Sequence, residues 1–331
     1  DLKHLYFIIT MGTIITESIS ARLVCDKPIK KTPYQVKGVF MKQFSDEKIV
    51  PFLDGKLRSK YLYPRVQVKI LDEQVYIVGI NEGVDPVLSL VNNLEFFNFG
   101  DITVKIEKID IEQNQNPVSL VDKLMRYKFV TPWVALNAGS GKKFKGIEED
   151  NKNLFLNKLL GQNLLFLSKE LGLNTDSKIY TKVEVDSMDP HNHEENGWRS
   201  FNGEFRTNFM LPNFIGFGNG ITRGFGSIFS LNHPNNLEFQ NSSKELGEYT
   251  IEDINEDDTS ISIVTINDAP VISNRKKKKR FKSKKKAFSK NNRPQKSRYK
   301  GKNNNIKKQE IDIDDESRFN SEEYHQKQHD L

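Results

Sequence analysis

Two stretches of this chain carry residue types at a spacing that could do chemistry. The first, Phe205 to Phe229, reads FRTNFMLPNFIGFGNGITRGFGSIF. It packs Gly216, Gly218, Gly220, Gly224 and Gly226 around a single cation, Arg223. Glycines at that density let a backbone turn through positive φ and approach a ligand closely. Successive amide N–H groups in such a loop form a concavity that seeks anions. One arginine within it points to phosphate, although a glycine-rich hairpin loop without a ligand is the plainer reading. The second stretch, Met188 to Trp198, holds His191 and His193 two residues apart. Histidine exchanges a proton near neutral pH, so the pair could supply a base and an acid. An exposed turn and an adventitious metal contact are the competing readings, with no third ligand evident.

Nucleotide fingerprints fail on spacing. In the glycine loop, Ile221 stands where G-x-G-x-x-G needs its third glycine, and an apolar, strand-like run comes next instead of a helix. Gly139 to Lys143 resembles a P-loop only faintly: no glycine lies five residues before Gly141, and no Ser or Thr follows the lysine.

The elements that must position these stretches can be read from periodicity. Leu5 to Ile15 is rich in β-branched and aromatic residues and predicts a strand. Thr32-Pro33 supplies a cap and a first-turn proline for a helix through Phe44. Tyr61 to Leu71 and Gln74 to Ile80 alternate apolar and polar residues across a hairpin-length gap. Helical spacing over Val84 to Phe97 and a strand over Ile102 to Ile111 complete a β-α-β-β-α-β order, the ferredoxin-like unit. The pattern then begins again. A strand is expected over Tyr127 to Leu136, and a helix over Glu148 to Leu171 with Leu156, Leu159, Leu160, Leu164, Leu167 and Leu171 as its apolar stripe and Gly172 closing it. Strands are expected over Lys178 to Val185, Gly203 to Leu211 and Phe225 to Leu231. The predicted fold class is α+β: tandem ferredoxin-like (RRM-like) domains, each a sheet with helices on one face, over residues 1–118 and 119–240. Between two such units a cleft is a usual place for a ligand.

Charge divides the 331 residues. Residues 1–240 carry 29 Lys+Arg against 28 Asp+Glu, 241–273 carry 1 against 8, 274–308 carry 18 against none, and 309–331 carry 2 against 8. The net charge of +6 therefore belongs to one short block and not to a basic globular domain. Residues 241–273 read as an acidic linker, within which only Ile261 to Ile266 resembles a strand. Residues 274–331 read as a disordered tail, basic then acidic. Phe281, Phe288 and Tyr299 are interleaved with the cations of residues 274–308, an arrangement suited to nucleic acid; a solvated tail is the plain alternative. The single cysteine, Cys25, excludes an intrachain disulfide and a cysteine-based zinc site, which fits a cytoplasmic setting. No run is long and apolar enough to predict a membrane helix.

The chain resembles the CRISPR-associated repeat-RNA endoribonucleases, the Cas-six class, and within it the b-type branch. Tyr61 to Gly83 (YLYPRVQVKILDEQVYIVGINEG) is similar to that family's Y-x-Y-P strand and the strand after it. Tyr127 to Asn137 is similar to the strand that opens its second domain, and Leu159 to Leu173 to its second-domain helix. Phe205 to Phe229 is similar to its glycine-rich signature. The resemblance covers roughly residues 1–232. It implies a protein that binds CRISPR repeat RNA and cuts it once, without metal or cofactor, through attack of a ribose 2′-OH on the adjacent phosphate. Other Cas effector subunits are further candidate partners. The branch carries its catalytic histidines just before the Y-x-Y-P strand, where this chain reads KIVPFLDGKLRSK over residues 48–60 and has none. His191 and His193 are the substitutes, because the resemblance places that hairpin near the cut, with Lys56 and Lys60 as cations for the extra charge on phosphorus. His233, His325 and His329 carry little weight. The RNA-binding set is Gly216, Gly218, Gly220, Arg223, Gly224, Gly226, Lys37, Arg58, Arg65, Lys69, Arg126, Lys128 and Arg206; Lys37 matches the place of an Arg-Gly pair in the family. Trp133, Asn137 and Asn208 match family positions but read as structural. A catalytically inactive repeat-RNA binder is the alternative that the missing histidine favours.

Overall fold

In the computed structural model the described residues are 16–115, 117–173, 178–193, 197–231, 251, 260–265 and 268. The Thr32-Pro33 pair does what its chemistry predicts. Thr32 Oγ1 accepts from the Gln35 N–H and the Gln35 side chain accepts from the Thr32 N–H, so two orphan donors are satisfied at the start of α1 (Pro33–Gln43). Burying Val36, Val39 and Phe40 sets one face of α1 on a sheet. That sheet contains β1 (Glu17–Cys25), β2 (Val66–Leu71), β3 (Gln74–Ile80), β4 (Phe96–Asn98) and β5 (Thr103–Gln115), in the order β2-β3-β1-β5-β4. Helix α2 (Val84–Asn92) comes after β3 and covers the same face through Val84, Val87, Leu90 and Val91. Without the edge hairpin β4, this is the ferredoxin-like order, with every pairing antiparallel.

The second unit repeats the plan. Strands β6 (Ser119–Phe129), β8 (Ile179–Val185), β11 (Gly203–Met210) and β12 (Ile228–Ser230) lie in the order β12-β6-β11-β8, with β13 (Ser262–Val264) added beyond β8. Helix α4 (Glu149–Glu170) packs on one face and, with Leu171 at its C-cap, buries all six expected leucines. Gly172 comes next at φ 73, the left-handed position that stops the helix. The second helix of the ferredoxin plan has no counterpart between β11 and β12; the glycine loop occupies that crossover. A small side sheet, β7-β10-β9, is formed by β7 (Trp133–Leu136), β9 (His191–Asn192) and β10 (Arg199–Phe201).

Several expectations are corrected. The strand expected over residues 5–15 lies outside the described residues, and the first position of the sheet is taken by Glu17–Cys25. Its alternation, with Ile19, Ala21 and Leu23 inward and Arg22 outward, is hidden by serine and alanine, which have little strand propensity. The helix expected to reach Phe97 stops at Asn92, and Phe96–Asn98 pairs with β5 as a strand. The strand expected over Tyr127 to Leu136 is two: β6 starts at Ser119 and ends at Phe129, and after Pro132 the chain moves into the side sheet as β7. In line with its failed spacing, Gly139 to Lys143 forms no phosphate loop: it lies inside helix α3 (Ala138–Lys145), capped by Asn137 and Ser140. Within the expected acidic linker, the strand-like run Ile261 to Ile266 does contain a strand, β13, which joins the second sheet. The expected disordered tail lies outside the described residues.

Fully buried Asn157 of α4 ties three elements together. Its Oδ1 accepts from the Val183 N–H at 2.7 Å and its Nδ2 donates to the Ser260 carbonyl at 2.9 Å. The change Asn157→Ala leaves buried backbone groups without partners, which costs about 1–3 kcal/mol apiece. Urea unfolding monitored by circular dichroism should show a loss of that order.

Candidate functional site

The extended run from Tyr63 through β2 has two faces of opposite character. Val66, Val68 and Ile70 point into the first unit's core. Tyr63, Arg65, Gln67 and Lys69, at the alternate positions, point at the second unit. Tyr63 donates its hydroxyl to the Gly216 carbonyl at 3.0 Å, and Gln67 Oε1 accepts from the Gly216 N–H at 2.9 Å. Lys69 Nζ lies 3.3 Å from the Ile221 carbonyl oxygen and 3.4 Å from that of Phe225. Arg65 binds Glu82 at 2.8 Å and donates to the Glu170 carbonyl at the end of α4. Glu170 in turn accepts from the Leu62 and Tyr63 amides. The glycine loop is thus seated on the first unit by a stripe of polar side chains.

Lys69 has no exposed surface. Burial, with the charge of Lys37 as a second cause, pushes its ammonium down to about 7. Burial drives the Tyr63 phenol well up, so it remains a donor. Both Arg65 and Lys69 were expected to meet RNA. The structure instead buries them as parts of the interface between the units, and this corrects the reading of strand charge as surface charge.

Several amides of the glycine loop, expected to seek an anion, are taken up within the protein. Phe217 N–H donates to the Gly226 carbonyl, Asn219 N–H to Val134, Arg223 N–H to Gly220, Gly224 N–H to Ile221 and Gly226 N–H to Pro132. Gly216, Gly218, Gly220, Gly224 and Gly226 are buried. Gly226 needs its glycine twice: φ is +67, and a Cβ there would overlap the Phe217 carbonyl. Gly220, at φ +73, faces the Trp198 ring, which would lie 2.9 Å from its Cβ.

The tip of the loop carries the chemistry. Arg223 places its guanidinium 5.3 Å from the centre of the Trp198 ring. Phe225 stands edge-on to His193 at 5.1 Å, and His193 edge-on to His191 at 5.3 Å. His193 Nε2 is 2.9 Å from Ser200 Oγ. The two-residue ladder β9-β10 pairs His191 with Ser200 and Asn192 with Arg199, so the histidines and Ser200 share one edge while Asn192 and Arg199 face away. Burial, and then the nearby His191, lowers the pKa of His193 below 6.5, keeping it neutral at pH 7. From the first unit, Lys37 donates to the Thr222 carbonyl at 2.9 Å and lies over Tyr34, which is 46% exposed. Asn192 and Arg199 help to line a separate cavity of about 360 Å³ with Lys145 and Lys152.

The remaining expected residues are scattered. Lys56 is 3.0 Å from Asp54, and Lys60 lies over the Tyr61 ring at 4.9 Å. Arg58 lies across Gly55. Arg126 is paired with Glu204 at 2.6 Å, and Arg206 and Lys128 stand beside it on the sheet. Trp133 is core, Asn137 caps α3 and Asn208 bonds backbone at residues 178 and 180, so all three are structural as expected. Among the described residues no cluster of three His, Cys, Asp or Glu could hold a metal, and no helix is long and apolar enough to cross a membrane. Sequence reasoning passed over Ser200, Trp198 and Phe225. The alternation of Arg199, Ser200 and Phe201 opposite the histidines is the signal for Ser200; nothing local marks the other two.

Family models described as the Cas6b N-terminal domain and the Cas6b C-terminal domain match residues 16–117 and 119–231, about two thirds of the chain together. This chain belongs to the Cas6b family. A solved structure described as Cas6b superposes with a TM-score of 0.55 at 26% identity, covering 65% of this chain and 99% of the other. A second, described as the CRISPR RNA processing endoribonuclease Cas6b, gives 0.49 at 26% identity over the same shares. An uncharacterized protein of Methanocaldococcus jannaschii is 32% identical over 129 residues, 39% of this chain and 82% of the relative. The Cas6b match ends at Leu231, so β13 lies beyond it.

Two predictions come from the seat of the loop. Folded, Lys69 releases its proton near 7, and unfolded near the usual 10.5. Between those values the unfolded chain binds more protons, so stability should rise with pH across that window. In Lys69→Met the rise should disappear, measured as urea midpoints from about pH 7 to 9.5. Gly226→Ala should cost roughly 2 kcal/mol or more, because strained φ and a backbone overlap add, and thermal melts will show it.

Proposed function

We propose that this Cas6b protein binds CRISPR repeat RNA at the junction of its two ferredoxin-like units and cuts it once. The observation that carries the reading is the pair His191 and His193, held against the arginine-bearing tip of the glycine loop in a chain of this family. Membership of the Cas6b family, matched over both units, supports it. A division near residue 118 gives the RNA two faces to bridge, Tyr34 beside the buried Lys37 on one side, and Arg223 and the histidines, backed by the buried Trp198, on the other.

The reaction needs no resident cofactor. His193, neutral at pH 7, takes the proton from a ribose 2′-OH. The 2′-oxygen bonds to the adjacent phosphorus, the bond from phosphorus to the 5′-oxygen breaks, and His191 gives that oxygen a proton. The products are a 2′,3′-cyclic phosphate and a 5′-OH. Arg223 carries the added negative charge on phosphorus. Exposed Lys56 and Lys60 are the secondary cations of this reading. The absence of histidine over residues 48–60 favours a second reading, a repeat-RNA binder that does not cut.

The test is single-turnover incubation of the full chain with its repeat RNA in EDTA, beside the same RNA with a 2′-deoxy at the cut. One cut, abolished by the 2′-deoxy, is expected. His193→Ala should slow it by roughly 10²–10⁴-fold. The wild-type rate should fall as pH drops through a value below 6.5, where His193 becomes charged. Tight binding without a cut would establish the second reading.

A further inference from the structure

The cavity of about 360 Å³ behind the histidine ladder takes no part in the reaction above. Three elements build it. Phe144 and Lys145 end α3, Glu149 and Lys152 belong to the first turn of α4, and Met188, Asp189 and Pro190 form the turn that runs into β9. Asn192 and Arg199, paired across β9 and β10, close it. β9 is the edge strand of its sheet. Side chains alternate along it, so His191 and His193 stand on one face and Asn192, between them, on the other. One strand therefore separates the cavity from the histidines.

The charges that line it are mixed. Glu149 is taken up by Lys152 at 2.6 Å. Asp189 is exposed; its amide donates to Ser187 Oγ at 3.1 Å, and its carboxylate has no partner among the described residues. Arg199 is half-buried and short of acceptors. Its Nε donates to Asn192 Oδ1 at 2.9 Å, while Nη1 is enclosed without a partner against Gly141, where a Cβ would overlap it. Nη2 is left for the cavity that Arg199 lines. A charge withdrawn from water normally meets an acceptor or an opposite charge, and among the described residues Asn192 is all that this guanidinium has. The lining also selects what could supply the rest. A bare phosphate would suit Lys145, Lys152 and Arg199 but meet like charge at Asp189 and Glu149. A ligand with acceptors on one side and donors on the other suits both, and guanine is built so: O6 and N7 accept from a guanidinium, while N1–H and the N2 amino group donate to a carboxylate. Adenine fails the match, because it presents an amino donor where Arg199 also donates. The volume suits a nucleotide and not a lone ion.

We propose that this cavity takes a guanine nucleotide, its base read by Arg199 and Asp189 and its phosphate drawn by the exposed Lys145. Asn192 is the positioning residue that fixes the guanidinium. Two sources carry this chemistry: a guanosine of RNA that lies at the histidines and bends round the β9 edge, and a free guanine nucleotide. The first source rests on the reading that RNA enters at the histidines; the chemistry of the cavity does not.

The experiment titrates the full chain with two ligand pairs: 5′-GMP against 5′-AMP, and oligouridine with a single central guanosine against the same strand with adenosine there. A preference for guanine of about ten-fold is expected in at least one pair. Preference in the strand pair identifies RNA as the source, and preference in the nucleotide pair alone identifies the free nucleotide. Asp189→Ala, a change at an exposed side chain, should bring guanine down to the level of adenine. Inosine, which lacks the N2 amino group, should bind wild type several-fold more weakly than guanosine and bind Asp189→Ala equally well; a merely structural role of Asp189 would leave that difference in place. Arg199→Lys should in the same way remove the distinction between guanine and 7-deazaguanine. Lys145→Ala should weaken both strands alike and lower the salt slope by about one unit. Equal binding of guanine and adenine in both pairs would overturn the proposal, and so would full guanine preference in Asp189→Ala. Failure of the proposed function is separate: the chain would then neither bind nor cut repeat RNA, and the nucleotide pair would still decide the cavity.

Discussion

The molecule depends on the seating of the glycine loop upon Tyr63, Gln67 and Lys69. Each of the two units has its own sheet and its own core. A stripe of polar side chains at alternate positions joins them: Tyr63, Gln67 and Lys69 are aimed at backbone carbonyls and an amide of the glycine loop, and Arg65 at the end of α4. Apolar packing would join the units with less directional demand. Hydrogen bonds to specified backbone atoms fix register, and a buried polar group left unmatched costs more than a matched one contributes. The glycines are the other half of the same constraint. At Gly216 the missing Cβ leaves room for the lysine, since a Cβ there would sit 2.8 Å from Lys69 Nζ.

The histidine pair inherits its position from that seat. His193 is packed against Phe225, Phe225 belongs to the loop, and the loop is fixed from the first unit by Lys69 and Lys37. A displacement of the units would therefore move Arg223 and Phe225 relative to the side sheet that carries the histidines. Lys37 links the two functions most directly, because it holds the Thr222 carbonyl, next to Arg223, while lying against the exposed Tyr34 ring.

Much of the fold was legible where local chemistry and tertiary context agree. Thr32-Pro33, the leucines of α4 and the alternation of Gln74 to Ile80 each announced their element. Legibility failed where the partner was remote in sequence. Glu17–Cys25 looked weak because its strand character comes from pairing on both sides by β3 and β5. Ile261 to Ile266 looked strand-like, but its place in the second sheet was hidden, because the Gly161 that makes room for Val264 is about a hundred residues away. The site was half legible. The two histidines and the arginine were named from their types, but Trp198, Phe225 and Ser200 surround them only after the loop is seated. Lys69 and Arg65 were misread because a strand cation looks the same in sequence whether it meets water, RNA or a carbonyl.

That misreading has a chemical root. A cation beside a run of glycines is a donor set matched to oxygen atoms, and phosphate oxygens and peptide carbonyls both satisfy it. Burial separates the two cases. Burial weakens the charge of Lys69 and shuts it away from any polyanion, whereas Arg223 is only half-buried and lies with its guanidinium over the buried Trp198 ring. The glycine loop thus uses the same chemistry twice. Inward it binds the cation of its own first unit and joins the domains. Outward it carries Arg223 beside the only two histidines among the described residues, where the proposed reading puts the phosphate.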